Sequence, residues 1–373
     1  MIWLLVGACA VAFGYQVVAL AAALRFRSRR DPRGEQTPGI SILKPVRGLD
    51  PGFYHAIRSH ATQDYPEFEI LFGVADPEDP AAADIRRLRA EFPAVAIRLI
   101  HSTTAAANGK VGVLMDLAAE ARHCVILVND SDIRVPDGYL RAVVSPLEDA
   151  DVGVVTCLYR ASAAELPGIW EALGIATDFA PSALVAPFVG VKEFGLGSTL
   201  LFRRDDLDAI GGFAAIAAYI ADDYQLAKRI TQLPKRVHLS TVVVETSLQG
   251  ESWRGVWRHQ IRWHRTIRVS RGAYVGLPVT MATLWALAAA CAGLWQIAAG
   301  LLAVRMTMAI FAGWVVLRSP LVARYWWLIP FRDLWGAAVW AAGLTGDSVE
   351  WRDRKLRLLP DGRIGGQKIR RHK

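Results

Sequence analysis

An open α/β sheet combined with membrane-spanning segments is the fold class this sequence predicts, and three observations carry it. Hydrophobic residues fill 53% of the 373 positions, more than an ordinary soluble enzyme uses. Charged residues still make up 21%, so the polar material must be gathered into a water-facing part. Between two long apolar zones, about Arg25 to Tyr274, short runs of Val, Ile, Leu and Phe alternate with stretches of helical spacing. The composition argues against a purely soluble fold and against a chain made only of membrane helices.

The first apolar zone, 2–24, contains no charged side chain. It exceeds the roughly 20 residues, at about 1.5 Å each, that cross a hydrocarbon core. A secretory signal carries its positive charge ahead of the apolar stretch, whereas here Arg25, Arg27, Arg29, Arg30 and Arg33 follow it. Residues 1–24 therefore read as a retained transmembrane anchor, with Arg25 onward in the cytoplasm by the positive-inside rule. Within 25–274 the runs 40–46, 68–75, 97–100, 124–128, 152–159 and 237–245 read as strands, and 52–62 and 81–91 as crossover helices. Strands separated by such helices form a largely parallel sheet covered on both faces, with ligands beyond the carboxyl ends of the strands.

A second apolar zone, 277–317, is broken only by Arg305 and has the length of a two-span hairpin. Arg305 is costly there unless it lies near an interface or faces protein. The runs 321–330 and 334–344 are too short for ordinary spans and read as re-entrant or interfacial segments or a further crossing, completing a membrane region over 275–345. Residues 346–373 form a basic tail with Arg352, Arg354, Lys355, Arg357, Lys368, Arg370, Arg371 and Lys373. The net charge of +8 thus crowds beside apolar segments, which points to anionic headgroups and not to nucleic acid. Cys9, Cys124, Cys157 and Cys291 lie far apart with no C-x-x-C pair, as expected of free thiols in a reducing compartment.

Acidic residues stand at two predicted strand ends. Asp76 follows 68–75, and Asp130, Ser131 and Asp132 follow the run that ends at Asn129. Aspartate after a strand also makes turns, and for Asp76, ahead of Pro77, the two explanations are balanced. An extended Asp-x-Asp points both carboxylates to one side, where a shared divalent cation, Mg²⁺ or Mn²⁺, relieves their repulsion and can carry a diphosphate. Asp222 and Asp223 open a helical stretch, where a carboxylate caps the backbone or takes a proton from an incoming hydroxyl. Gly195 and Gly197 permit close backbone approach to a ligand or simply a tight turn. The stretch 257–265 stacks Trp257, Arg258, His259, Arg262, Trp263, His264 and Arg265 ahead of the second apolar zone, as an interfacial belt or as a diphosphate and sugar contact. Lys44 and Lys110 are single cations near strand or loop ends, at surface positions or at a phosphate site.

Taken in order, the segments 42–48 (ILKPVRG), 63–66 (QDYP), 73–76 (GVAD), 130–135 (DSDIRV), 219–224 (YIADDY) and 261–263 (IRW) resemble the ceramide glucosyltransferase family, glycosyltransferase family 21. The likeness extends over nearly the whole chain, and 155–160 (VTCLYR) together with His259 is closer to the bacterial, hopanoid biosynthesis-associated branch. The resemblance implies a GT-A fold and an inverting transfer from a UDP-sugar to a lipid hydroxyl, ceramide-like or on a hopanoid polyol, at a bacterial inner membrane. It implies Asp76 near the uridine, Asp130 and Asp132 on the metal, and Asp223 as general base. His259, Arg262 and Trp263 fall on the family's last motif as implied substrate contacts, and Lys44, Lys110 and Gly197 join them as candidate substrate contacts from their own positions. His259 departs from the family's Gln or Arg, exchanging a fixed donor for a group that titrates. Asp178 falls where animal ceramide enzymes carry histidine, which bears on the acceptor more than on the chemistry. The competing enzyme class is a processive polysaccharide synthase, which shares the acidic motifs but brings more spans and a Gln at position 259.

Overall fold

The computed structural model describes residues 2–32, 34–351 and 354–365. Arg33, Arg352, Lys368, Arg370, Arg371 and Lys373, part of the expected headgroup-facing charge, lie outside the described residues. The chain divides into two compact units, Arg30–Tyr159 with Val191–Ser247, and Met1–Arg29 with Arg160–Gly190 and Leu248–Lys373. The segment 160–190, which the sequence reading left inside 25–274, therefore folds with the apolar helices. It carries the apolar helices Leu166–Gly174 and Ala180–Phe188 and lacks the alternation of a strand.

The first unit is built on seven strands, β1 (Ile40–Val46), β2 (Phe68–Val74), β3 (Ala96–His101), β4 (Val125–Val128), β5 (Val152–Ser162), β6 (Leu200–Arg203) and β7 (Arg236–Ser247). Their order is β3-β2-β1-β4-β6-β5-β7. Strands β1 to β4 pair in parallel. β6 runs antiparallel to both β4 and β5, so the largely parallel sheet carries an antiparallel part. Five of the strands are near-continuous apolar runs because both faces are covered. Side chains alternate across the pleat: Ile40, Ile42, Ile70 and Phe72 pack on one face with Phe53 and Ile57 of the helix Phe53–Ala61. Leu43, Leu71, Ile126 and Phe202 pack on the other with Leu114 and Leu117 of Gly109–Glu120 and Leu226 and Ile230 of Asp222–Gln232. Each such side chain, fully buried, contributes about 1.5–3 kcal/mol of transfer free energy. This packing holds the carboxyl ends of β1, β2 and β4 side by side.

Among the described residues, the second unit contains two helices long and apolar enough to cross a membrane, Ile2–Ser28 and Trp295–Val316. A third candidate span is the pair Gly272–Thr280 and Ala282–Cys291, bent by 52°. Within the zone expected to form a two-span hairpin, the helices Ala282–Cys291 and Trp295–Ile310 follow one another across a turn at Gly293, whose φ of 77° suits glycine. Arg305 lies away from that turn, inside the helix Trp295–Ile310, and is buried. Its guanidinium grips Asp333 through Nε at 2.9 Å and Nη2 at 2.6 Å, and Nη1 donates to the Thr177 carbonyl at 2.7 Å. Of the ways to tolerate this arginine it is therefore the protein-facing one that is used. Thr177 sits in a π-helical turn, Ile175–Phe179, a wider turn that frees a carbonyl from the usual ladder. The stretch 321–344 forms the helices Pro320–Tyr325 and Ile329–Gly343. Part of the expected basic tail is ordered as a three-stranded antiparallel sheet, Ser348–Trp351, Arg354–Leu358 and Ile364–Gly365.

Candidate active site

Three carboxylates from two distant segments gather at one lysine beyond the carboxyl end of β4. Asp130 is the second residue after β4, and Asp222 and Asp223 begin the helix Asp222–Gln232. Lys110 Nζ lies 2.8 Å from Asp130 Oδ1 and 3.0 Å from Asp222 Oδ2. Asn108 caps the helix Gly109–Glu120 by accepting from the backbone N–H groups of Lys110 and Val111, and its Nδ2 donates to the Tyr219 carbonyl at 2.9 Å. The cap thereby fixes Lys110 at the start of its helix and ties it to the turn before Asp222. The Lys110 ammonium is held above its ordinary range: burial opposes the charge, but Asp130 and Asp222 outweigh it.

Asp223 Oδ2 accepts from the Gly197 backbone N–H at 3.1 Å, and Oδ1 from the Tyr224 N–H at 2.7 Å. The first residue outside the helix is Ala221, and no side chain caps it. Neither aspartate stands at the cap position itself, although Asp223 still accepts one first-turn N–H and the helix N-terminus favours the negative charge of both. Burial and the neighbouring Asp222 push the Asp223 carboxyl up to about 6, against the lowering pull of Lys110. A Cβ added at Gly197 would stand 3.1 Å from Asp130 Oδ2 and 3.6 Å from Asp223 Oδ2. Glycine at this position lets the backbone pass between the two carboxylates.

Asp132 is half-buried, and its Oδ2 accepts from the Thr246 hydroxyl of β7. Its carboxyl is raised first by burial and then by Asp130. Lys44, fully buried on β1, donates to the Asp130 carbonyl at 3.0 Å. Burial brings it down to about 7 against the opposing pull of Asp132 and Asp130, and its place is beneath the acidic loop. Asp76 is exposed after β2, and its Oδ1 accepts from the Glu78 N–H at 3.0 Å, the turn role that its sequence position allowed. Among the described residues no group of three or more His, Cys, Asp or Glu side chains is arranged to hold a metal. The acidic donors available at β4 are Asp130 and Asp132, two hard carboxylates whose repulsion is recorded in the raised Asp132.

His259, Arg262 and Trp263 lie on the helix Trp253–Ser270 of the second unit. His259 Nδ1 meets Glu171 Oε1, and its ring centroid stands 4.8 Å from that of Trp263, one turn on. Trp263 also meets Phe179 at 5.7 Å, and the Arg262 guanidinium covers the Trp351 ring at 5.7 Å. Asn129 is a site neighbour that sequence reasoning passed over: buried at the end of β4, its Nδ2 donates to the Ser198 carbonyl at 2.6 Å and to Tyr139 Oη at 3.0 Å, joining the glycine loop to the acidic one. Its position immediately before Asp130 was the available signal.

Residues 4–364 match the family model described as Glycosyl transferase family 21. Ceramide glucosyltransferase 1 of Caenorhabditis elegans is 29% identical over 207 residues, 55% of this chain and 44% of that protein. Beta-monoglucosyldiacylglycerol synthase of Synechocystis sp. is 23% identical over 244 residues, 64% of this chain and 48% of that protein. The chain spans about half the length of the curated relatives it matches. Among solved structures, a mannosyltransferase from Pyrobaculum calidifontis in complex with GDP-Man and Mn²⁺ has a TM-score of 0.55 at 21% identity, covering 90% of this chain and 96% of that one. The shared feature is the GT-A type of open sheet that the motif order implied.

Proposed function

Because the chain belongs to glycosyl transferase family 21, we propose that it moves one sugar from a UDP-sugar to the hydroxyl of a membrane lipid, inverting the anomeric carbon. The observation that carries this reading is the convergence of Asp130, Asp222 and Asp223 on Lys110 and Gly197 at the carboxyl end of the sheet. The relatives' names supply the acceptor class, ceramide or a diacylglycerol lipid, and the motifs near 155–160 keep a hopanoid polyol as a further candidate. Two helices of membrane-crossing length suit an enzyme whose acceptor is insoluble and whose donor is not. The proposed setting is a bacterial inner membrane with the sheet on the cytoplasmic side.

In this mechanism Asp223 takes the proton of the lipid hydroxyl, whose oxygen attacks the anomeric carbon from the face opposite the departing UDP. A raised carboxyl fits a base that works near neutral pH. Asp130 and Asp132 would hold a divalent cation, Mg²⁺ or Mn²⁺, which when bound neutralises charge on the leaving diphosphate. Lys110 keeps a fixed positive charge between Asp130 and Asp222 and holds both in place. Lys44 supports the loop through the Asp130 carbonyl, and Gly197 orients Asp223 by its N–H. Asp76, at the end of β2, is proposed on the uridine side. His259, Arg262 and Trp263 are proposed as further substrate contacts by charge and ring face.

The test is the product formed by the purified chain in detergent, given labelled UDP-glucose or UDP-N-acetylglucosamine, Mn²⁺ and lipid. One sugar on an organic-soluble lipid supports the proposal. A long polymer assigns the chain to a processive synthase instead, and absence of transfer from either donor sinks the UDP-sugar assignment.

A further inference from the structure

In the second unit, four buried polar atoms lack any hydrogen-bond partner within one junction of three helices. They are Arg332 Nε, Glu171 Oε2, Gln260 Nε2 and Trp170 Nε1. Arg332 is 8% exposed, Gln260 4% and Glu171 2%. Glu171 and Gly174 share a face of the helix Leu166–Gly174, one turn apart. The Arg332 guanidinium lies against Gly174 so closely that an added Cβ there would come within 2.6 Å of its Nε. Trp335, one turn beyond Arg332, donates its indole N–H to Gln260 Oε1 at 2.8 Å and packs 6.0 Å from Trp170.

Three neighbouring acceptors are committed elsewhere. Asp333 is spent on Arg305 and on the Thr283 hydroxyl. Glu171 Oε1 is spent on His259, and Gln260 Oε1 on Trp335. Asp178, Asp333 and Glu171 act on Arg332 through their fields without a hydrogen bond to it. A buried polar group without a partner costs about 1–3 kcal/mol, more when it is charged, so four in one junction mark a place where the protein leaves hydrogen-bonding capacity for a molecule other than itself.

We infer that this junction is a binding site for the uncharged, hydroxyl-bearing headgroup of a lipid. A hydroxyl both donates and accepts, so it serves Glu171 Oε2 as donor and Arg332, Gln260 and Trp170 as acceptor. An anionic head meets the Glu171 carboxylate, and a cationic one meets Arg332; a neutral polyol meets neither penalty. Trp170, Trp253 and Trp335 stand within 6.0 Å of one another, giving flat apolar walls for the C–H faces of such a head and for the chain below it. Trp253 remains 43% exposed, which leaves this cluster reachable. The site deepens the proposed function and rests on that reading for the role of the lipid as sugar acceptor.

The test uses the full-length chain in detergent and two probes, labelled 1-octanoylglycerol as a neutral diol and dioctanoylphosphatidate as an anion, in equilibrium dialysis. Two variants are compared with the parent. Arg332→Met removes the unpartnered charge. Gln260→Glu retains the oxygen that Trp335 uses but turns the free amide donor into an acceptor. Both are expected to weaken diol binding at least tenfold and leave the thermal shift produced by UDP with Mn²⁺ unaltered. The melting temperature of ligand-free Arg332→Met is expected to equal or exceed that of the parent. Unchanged diol affinity in the variants, tighter binding of phosphatidate than of diol, or a lowered melting temperature for Arg332→Met overturns the site. If Arg332→Met does not fold, Gln260→Glu decides alone by its diol affinity. Variant-sensitive diol binding in a chain that transfers no sugar sinks the proposed function and leaves the site standing; transfer by the variants with an unchanged acceptor KM does the reverse.

Discussion

At Asp223 burial and Asp222 disfavour the charge, Lys110 favours it, and the carboxyl settles at about 6. A general base must be ionised, so its protonation removes activity as pH falls. The prediction is a kcat/KM that declines below about pH 6. Lys110→Gln takes away the lowering influence and is expected to move that acidic limb to higher pH. Asp223→Asn is expected to reduce kcat by roughly 10²–10⁴-fold with UDP binding retained, measured by turnover beside nucleotide titration; near-parental turnover would remove it as base. At Gly197 a methyl group would press on Asp130 Oδ2, so Gly197→Ala is expected to lose most activity while circular dichroism stays that of the parent. Asp130, Asp132 and Asp223 stood out in the sequence as candidates because their motifs are local. The task of Lys110 was not, since a lysine beside a glycine has no local signal and its partners arrive from other segments.

At the scale of elements, the apolar runs mark strands well wherever both faces are buried, and 40–46 and the helix 81–91 have the bounds expected of them. β6 escaped notice because four residues, Leu200–Arg203, are too few to display a period. Its antiparallel course follows from pairing with β4 and β5 rather than from its own residues. The helix Gly109–Glu120 sits close on β2: an added Cβ at Gly73 would meet Val113 Cγ1 at clashing range and the Leu117 side chain at 3.0 Å. Gly73→Val is therefore expected to push this helix outward, destabilising the fold by about 1–3 kcal/mol and dislodging Lys110. Thermal unfolding together with activity checks it, and a parental melting temperature would contradict the close approach.

For the molecule as a whole, the apolar composition demands a unit that tolerates lipid, and the few charges inside it must be neutralised from within. Arg305 and Asp333 do this for each other across the helices Trp295–Ile310 and Ile329–Gly343. Arg305→Met strands a buried carboxylate and is expected to cost about 3–5 kcal/mol. Adding Asp333→Leu is expected to recover most of that loss, as read by unfolding in detergent, and equal damage in the single and double variants would disprove the coupling. Helices of membrane-crossing length were legible in the long uncharged stretches. The grouping of 160–190 with those helices in one compact unit was not, because its own helices are short and apolar in a way that a soluble core would also accept.

What the sequence determined by itself is what neighbouring residues settle among themselves: hydrophobic length, the period of strand and helix, and the order of the acidic motifs. Tertiary structure alone decided which cation stands among the carboxylates, which carboxylate answers Arg305, and which buried polar atoms stay unanswered. Those outcomes depend on side chains far apart in the chain being packed to hydrogen-bonding distance, and no local pattern encodes such a meeting.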